Sequence, residues 1–228
     1  MEIAWDRVYR ELEAEGTALI KGLLAHDDCG EVRDLYQDEK IFRSQVVMER
    51  HGFGRGEYRY FSYPLPDLIT TLRTSLYPHL VPLANRWNGA MGIDVRYPPT
   101  HAEYIQRCHK AGQTKPTPLL LKYGPDDYNC LHQDLYGNHV FPLQIAILLS
   151  EPDRDFTGGE FVMTEQRPRM QSRPLVVPLQ KGDGVVFAVN HRPVKGKKSV
   201  YRVNMRHGVS RLRSGSRYTL GIIFHDAQ

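Results

Sequence analysis

Three side chains with the chemistry of metal ligands set the first expectation: His132, Asp134 and His207. His132 and Asp134 are two positions apart, a spacing that places both side chains on one face of a β-strand. Two histidines and one carboxylate on one face of an octahedral metal leave the opposite face open for a chelating cosubstrate and O2, as in non-haem Fe(II) sites. These residues are therefore predicted to be the catalytic metal ligands.

The second histidine ligand could be His207 or His191. His207 lies ten positions before Arg217, and the chain around them reads as two apolar-alternating runs joined at residues 214–216, a pattern typical of a β-hairpin. Such a hairpin would place His207 and Arg217 on the same face. His191 is surrounded by Asn, Pro, Gly and Lys residues and has no arginine at a comparable offset inside a strand, so His207 is favoured.

Arg217 is predicted to bind the far carboxylate of a 2-oxoglutarate molecule chelated to the iron, because a guanidinium offers two parallel donors to a carboxylate. Thr219 shares its face of the strand and could donate to the same carboxylate. Tyr123 precedes the His132 motif and is a candidate donor to the cosubstrate, with a plain core tyrosine as the alternative. Gln144 is a weaker candidate. The expected cofactors are Fe(II), 2-oxoglutarate and O2.

Further motifs accompany these residues. Tyr123-Gly124 precedes the His-Gln-Asp motif, FTGGEF begins at Phe156, and GDGVVF ends at Phe187. Over about residues 117–227 the chain resembles the prolyl-4-hydroxylase-like branch of the Fe(II)/2-oxoglutarate dioxygenase superfamily. More narrowly, the runs YNCLHQDLYG and NMRHGVSRLRSG resemble a bacterial oxygenase family described as acting on damaged, methylated nucleic acid.

The resemblance implies hydroxylation of a C–H bond with release of succinate and CO2, and oxidative demethylation where the substrate carries an N-methyl group. Methylated or damaged nucleic acid is the favoured substrate. One alternative is the same chemistry on a protein side chain, as in prolyl hydroxylation, or on a small metabolite. The other is a non-catalytic cupin-like metal-binding module or a zinc hydrolase. Arg217 argues against this second alternative, because neither protein needs a carboxylate-binding arginine on the following strand.

Periodicity divides the chain into a helical first half and a strand-rich second half. It predicts helices over residues 3–15, 26–36, 66–88 with a break at Pro78 and Pro82, and 101–110, with one strand over 17–24. Eight further strands are predicted at residues 119–123, 129–135, 141–149, 159–164, 174–178, 184–189, 200–209 and 217–224. This order indicates an α+β fold with a double-stranded β-helix, or jelly-roll, core buttressed by N-terminal helices. One domain is expected over residues 1–228, with 1–116 as mainly helical support and lid and 117–228 as the catalytic core.

Composition favours a soluble enzyme. The chain has 228 residues, of which 41% are hydrophobic, enough for a full core. No apolar stretch approaches the roughly 20 residues of a membrane span, and the N-terminus is too charged for a secretory signal, so a cytoplasmic location without membrane contact is expected. Cys29, Cys108 and Cys130 favour neither a disulfide framework nor a zinc site, although Cys130 is close enough to His132 to line the site. No oligomeric state is predicted.

Basic residues concentrate in one segment. Residues 166–217 contain thirteen Lys or Arg and one acidic residue, Asp183, whereas the rest of the chain is acidic overall. This segment predicts a positive rim near the metal that binds a phosphate backbone, with Arg167 and Arg169 as candidate substrate contacts. A solvated surface is the alternative.

A second candidate substrate element is the glycine-rich and aromatic stretch at residues 52–63. Arginines interleaved with aromatic residues can stack on bases, which makes Arg59 and Tyr60 candidate contacts, and the glycines would let the segment move as a lid. The alternative is a strand whose aromatic residues pack on the barrel. A modified base would have to be single-stranded or flipped out to reach the iron.

Overall fold

The computed structural model describes residues 3–197 and 199–228. The four α-helices are α1 (Trp5–Glu15), α2 (His26–Asp34), α3 (Asp67–Ala90) and α4 (His101–Lys110). The strands are β1 (Thr17–Ile20), β2 (Phe42–Val47), β3 (Gly54–Arg55), β4 (Glu57–Phe61), β5 (Leu119–Tyr123), β6 (Tyr128–His132), β7 (Leu143–Leu148), β8 (Phe156–Gly158), β9 (Phe161–Gln166), β10 (Arg173–Val177), β11 (Gly184–Ala188), β12 (His191–Lys195), β13 (Val200–Val209), β14 (Leu212–Gly215) and β15 (Arg217–Ile222).

Two antiparallel sheets face each other across the core. The major sheet has seven strands in the order β1-β11-β7-β15-β5-β4-β2. The minor sheet has the order β10-β9-β13-β6-β3, with β12 also paired to β13, and a separate ribbon joins β14 to β8. The central strands β7 and β11 are buried at every position, as expected for strands covered on both faces. This arrangement confirms the predicted jelly-roll core.

The helices pack against the major sheet, and α3 is hydrogen-bonded to the residues that follow β15. Arg73 of α3 is buried and donates to the carbonyl oxygens of Ile223 and His225 and to the carboxylate of Asp226 at 2.7 Å. The predicted break in α3 is wrong, since the helix continues through both of its prolines. Its apolar residues are buried along both halves, and this packing outweighs the roughly 3 kcal/mol that an interior proline costs.

The predicted hairpin between the last two long strands is also wrong. β13 belongs to the minor sheet and β15 to the major sheet. The intervening residues form β14, which pairs with β8, and Gly215 turns the chain with a φ of 80°. The alternating runs were correctly located, but they lie in opposite sheets and face each other across the interior.

The first half of the chain is less helical than predicted. It supplies β1 to β4, and β2 and β4 extend the major sheet beyond β5. Residues 54–55 and 57–61 form β3 and β4, which pair with β6 and β5. The stretch predicted as a lid is therefore largely sheet, as in the alternative interpretation. Among the described residues, no helix combines the length and apolar composition that a membrane span requires.

Candidate active site

The three predicted metal ligands lie together on the minor sheet. β6 ends at His132, and β13 pairs with it so that His207 lies opposite His132. Asp134 follows two positions later, and the ligand atoms of the three residues all lie within 4.8 Å of one another. The register shifts after His207 at Gly208, where a Cβ atom would lie 2.6 Å from the carbonyl oxygen of Asn129. Glycine at this position allows the two strands to approach closely.

The ligand atoms of these side chains converge on a common point. The Nε2 atoms of His132 and His207 lie 3.4 Å from Oδ1 and Oδ2 of Asp134, respectively. Nδ1 of His132 lies 2.8 Å from the carbonyl oxygen of Cys130, which can only accept, so Nδ1 carries the proton and Nε2 is free to bind a metal. A single cation could therefore be held by one histidine from each strand and by the carboxylate between them.

The shifted pKa values of His207 and Asp134 suit a metal site. Burial lowers the pKa of His207, which favours the neutral imidazole that a metal requires. Burial alone would raise the pKa of Asp134, but the adjacent imidazoles of His132 and His207 outweigh it and hold that pKa well below its usual range. Burial would lower the pKa of His132, but the bond to the Asp134 carboxylate raises it. The carboxylate is thus ionised at neutral pH.

A cavity of about 230 Å³ opens in front of these ligands, between the two sheets. The rings of Phe161 and Phe187 flank His207, with centroids 6.1 and 4.5 Å from the imidazole. Tyr58 and Tyr60 project into the cavity from β4, with their rings 5.3 Å apart and nearly perpendicular. The cavity therefore has apolar and aromatic walls, with few polar groups aimed into it.

Arg217 is the charged group at the other end of the cavity. Its side chain is 1% exposed, and its hydrogen bond runs to Oγ1 of Thr219 at 2.6 Å. Within the described part of the chain it forms no ion pair, whereas the equally buried Arg73 and Arg192 each contact a carboxylate. Burial lowers the pKa of Arg217 to about 10, so the guanidinium remains charged at neutral pH. A buried cation without a carboxylate partner is a site for an anion.

Two further donors in the cavity test whether 2-oxoglutarate fits. The hydroxyl of Tyr123, which lies opposite Arg217 on β5, and the amide nitrogen of Gln144 are buried without a hydrogen-bond partner among the described residues. Buried polar groups are normally satisfied, so unpaired donors in a cavity indicate a ligand with acceptor atoms. A dicarboxylate with one end at Arg217 and Thr219 supplies such acceptors, and the residues present fit 2-oxoglutarate.

Arg59 does not reach the cavity. Successive strand residues point to opposite faces, so Tyr58 and Tyr60 line the cavity while Arg59 lies on the outer face of β4. Its guanidinium donates to the carbonyl oxygen of Tyr36 at 2.9 Å and lies 4.5 Å from the centre of that ring. The predicted contact between Arg59 and substrate is therefore not supported, whereas Tyr60 lines the cavity.

Arg167 and Arg169 also lie away from the cavity. Arg167 follows the last residue of β9, about 20 Å along the chain from Phe161 at the cavity wall, and it donates to Glu165 at 2.8 Å. Arg169 occupies the adjacent turn. Glu165 is buried and is also paired with Arg192 and Arg173, so three of the thirteen basic residues in the predicted rim pair with one internal carboxylate. Lys198, another member of the predicted rim, lies outside the described residues.

Two residues of the site were missed from the sequence. Tyr136 lines the cavity and donates to Oδ1 of Asp134 at 2.7 Å. Phe53 lines the cavity entrance, is 48% exposed and stacks on His51 with ring centroids 5.3 Å apart. The only signals were the position of Tyr136 two residues after Asp134 and the glycines on both sides of Phe53.

Comparison with known families shows which family the chain belongs to. Residues 56–227 match the model of the Oxygenase-NA family, described as an oxygenase catalysing oxidative methylation of damaged DNA. The chain belongs to this family. Two uncharacterised proteins of Mycobacterium tuberculosis, from strains H37Rv and CDC 1551, are each 48% identical to it over 167 residues, which cover 73% of this chain and 72% of each relative.

Solved structures share the fold of this oxygenase at low sequence identity. A Pseudomonas putida prolyl-4-hydroxylase is 13% identical, with a TM-score of 0.55 over 98% of this chain and 99% of that chain. A Trichoplax adhaerens prolyl hydroxylase, solved with a hypoxia inducible factor peptide, is 16% identical, with a TM-score of 0.57 over 95% of this chain and 86% of that chain. At this identity the likeness shows the fold alone.

Membership of the family confirms that the protein is an oxygenase. Its cluster of two histidines and one aspartate could hold a metal ion. The buried guanidinium and the cluster of His132, Asp134 and His207 are the features of the cavity that match this chemistry.

Proposed function

We propose that this oxygenase removes methyl groups from damaged nucleic acid by oxidation. In this proposal His132, Asp134 and His207 bind Fe(II), and Arg217, Thr219 and Tyr123 bind 2-oxoglutarate. The observation that carries the assignment is the buried, unpaired guanidinium of Arg217, because it shares one cavity with the three ligand residues.

Fe(II) held by these residues would let O2 oxidise 2-oxoglutarate and the substrate together, so that one oxygen atom would end in succinate, the other in a hydroxyl group on the substrate carbon, and CO2 would be released. On an N-methyl group the product is an N-hydroxymethyl group, which breaks down to N–H and formaldehyde. The protein contributes orientation and the exclusion of water. The guanidinium of Arg217 neutralises one carboxylate, and Phe161 and Phe187 keep the neutral imidazole of His207 away from solvent.

The family description and the shape of the cavity support a nucleic acid substrate. Tyr58 and Tyr60 offer aromatic surfaces inside, and Phe53 offers an exposed ring at the entrance. Such rings stack on unpaired bases, each stack contributing about 1–3 kcal/mol. A methylated base presented on a single strand, or flipped from a duplex, can reach the ligand cluster in this way. In this proposal stacking at the entrance replaces the phosphate contacts that the sequence assigned to Arg167 and Arg169.

The test is turnover with defined substrates. Fe(II)-loaded protein is supplied with 2-oxoglutarate, O2 and a single-stranded oligonucleotide carrying one N-methylated base, and succinate and formaldehyde are measured. We expect equal yields of both products, which fall to the background level with the unmethylated oligonucleotide. Succinate formation stimulated only by peptides or small metabolites would discard nucleic acid as the substrate while retaining the oxygenase chemistry.

A further inference from the structure

Tyr136 contacts the candidate metal ligand Asp134 directly. Its hydroxyl donates to Oδ1 at 2.7 Å, and Asp134 is buried, with 8% exposed. Oδ2 is the oxygen that lies 3.4 Å from Nε2 of His207. Oδ1 lies at the same distance from Nε2 of His132, so the two carboxylate oxygens differ in the additional hydrogen bond that Oδ1 accepts from the phenol.

The loop that carries Tyr136 is fixed from behind. Gln113 is fully buried, and its amide nitrogen donates to the backbone oxygens of Tyr136 at 3.3 Å and His139 at 3.1 Å. Its amide oxygen accepts from the backbone nitrogen of His139 at 2.7 Å. Gly137 has a φ of 83°, and a Cβ atom there would lie 2.6 Å from Gln113. The phenol is therefore held by a closely packed loop, and the ring of Tyr60 packs edge-on against it.

We infer that Tyr136 is a positioning residue that occupies Oδ1, so that Asp134 binds the metal through Oδ2 alone. This inference rests on the metal ligands of the proposed function. An octahedral metal with two histidines and one carboxylate oxygen keeps three open positions, which a chelating cosubstrate and O2 together require. A carboxylate bound through both oxygens would occupy one of these three open positions. The phenol thus preserves the open face of the metal.

The experiment uses Co(II) as a probe and compares Tyr136→Phe with the matched control Tyr58→Phe. Tyr58 lines the same cavity, and no hydrogen bond joins it to Asp134 among the described residues. We expect Tyr136→Phe to alter the visible spectrum of the Co(II) protein and to weaken 2-oxoglutarate binding to it at least about tenfold, as is typical when a residue that orients a metal ligand is lost. The Tyr58→Phe protein should match the wild type in both measurements.

Three results would overturn the inference. The first is a Tyr136→Phe protein whose spectrum and 2-oxoglutarate affinity stay within about twofold of the wild type. The second is an equal effect of Tyr58→Phe, which would indicate a general change in cavity polarity. The third is Asp134 bound through both oxygens in a crystal structure of the wild-type Co(II) protein, a measurement that does not depend on any variant folding. Failure of the wild type to bind Co(II) would instead refute the metal site itself.

Discussion

Replacing Arg217 with methionine should stabilise the 2-oxoglutarate-free protein while weakening cosubstrate binding. Burial lowers the pKa of this guanidinium from 12.5 to about 10, which corresponds to about 3 kcal/mol of unfavourable free energy for the charged form. Loss of the hydrogen bond to Thr219 offsets part of the gain. We therefore expect the free energy of unfolding to rise by about 1–2 kcal/mol at neutral pH. Urea denaturation without metal or 2-oxoglutarate measures it.

The same variant should bind 2-oxoglutarate about a hundredfold more weakly. Two charge-assisted hydrogen bonds to a carboxylate contribute about 3 kcal/mol together, and each 1.4 kcal/mol changes the dissociation constant tenfold. Calorimetric titration of the Co(II) protein with 2-oxoglutarate gives this constant for the wild type and the variant. A guanidinium that only supported the fold would show the opposite pattern, with stability lost and affinity kept.

Arg192→Met is the matched control. Arg192 is as buried as Arg217, but it contacts the carboxylate of Glu165 and donates to the backbone oxygens of Glu13 and Ala14 at 2.9 Å. Its removal takes away the buried partner of Glu165 and leaves the partly exposed Arg167 and Arg173, and breaking a buried pair in this way typically costs about 3–5 kcal/mol. The two variants should therefore change stability in opposite directions. Equal destabilisation by both would refute the reasoning that Arg217 is reserved for an anion.

Three further outcomes are expected. Burial lowers the pKa of His101 to about 4 and of His225 to about 3, so both imidazoles stay neutral in the folded protein. The same histidines take up protons in the unfolded chain below about pH 6.5, so the free energy of unfolding should fall by about 2–3 kcal/mol between pH 6 and pH 5. Urea titrations that show no change in this free energy over that range would contradict the prediction. Tyr123→Phe should weaken 2-oxoglutarate binding about tenfold without lowering stability, because its hydroxyl has no partner among the described residues; calorimetry and urea denaturation measure the two effects. Phe53→Ala should reduce the stimulation of succinate formation by methylated oligonucleotide about tenfold while Arg169→Ala has little effect, and the reverse order would restore the predicted basic rim.

The candidate ligands could be predicted from the sequence because short-range spacing and alternation identify them. His132 and Asp134 are only two residues apart, which keeps their side chains close although β6 ends at His132, and the alternation around His207 and Arg217 makes both face inward. Which sheet each strand joins is not a local property. The hairpin prediction failed because β14 pairs with β8, a strand more than fifty residues away in sequence, and no short-range pattern reports that pairing.

Three of the four predicted substrate contacts, Arg59, Arg167 and Arg169, lie away from the cavity for the same reason. Arg59 and Tyr60 are neighbours on a strand, so only one of their side chains could face the cavity. Arg59 instead donates a hydrogen bond on the outer face to Tyr36, which belongs to a separate part of the chain. Residues 166–217 do contain an excess of basic residues, but the sequence could not show that three of these arginines form ion pairs with Glu165. A count of charged residues predicts a charged surface only where these residues form no ion pairs.

The most direct test of the proposed active site compares the two histidines between which the sequence had to choose. Iron content and succinate formation from 2-oxoglutarate under O2 are measured for the wild type, His207→Ala and His191→Ala. His207 lies in the ligand cluster, whereas His191 pairs with Asn204 on the far part of β13 and does not line the cavity. We predict that His207→Ala loses both iron and succinate formation and that His191→Ala keeps both. Iron-dependent turnover by His207→Ala, or its loss in His191→Ala with the fold intact, would contradict the assigned site.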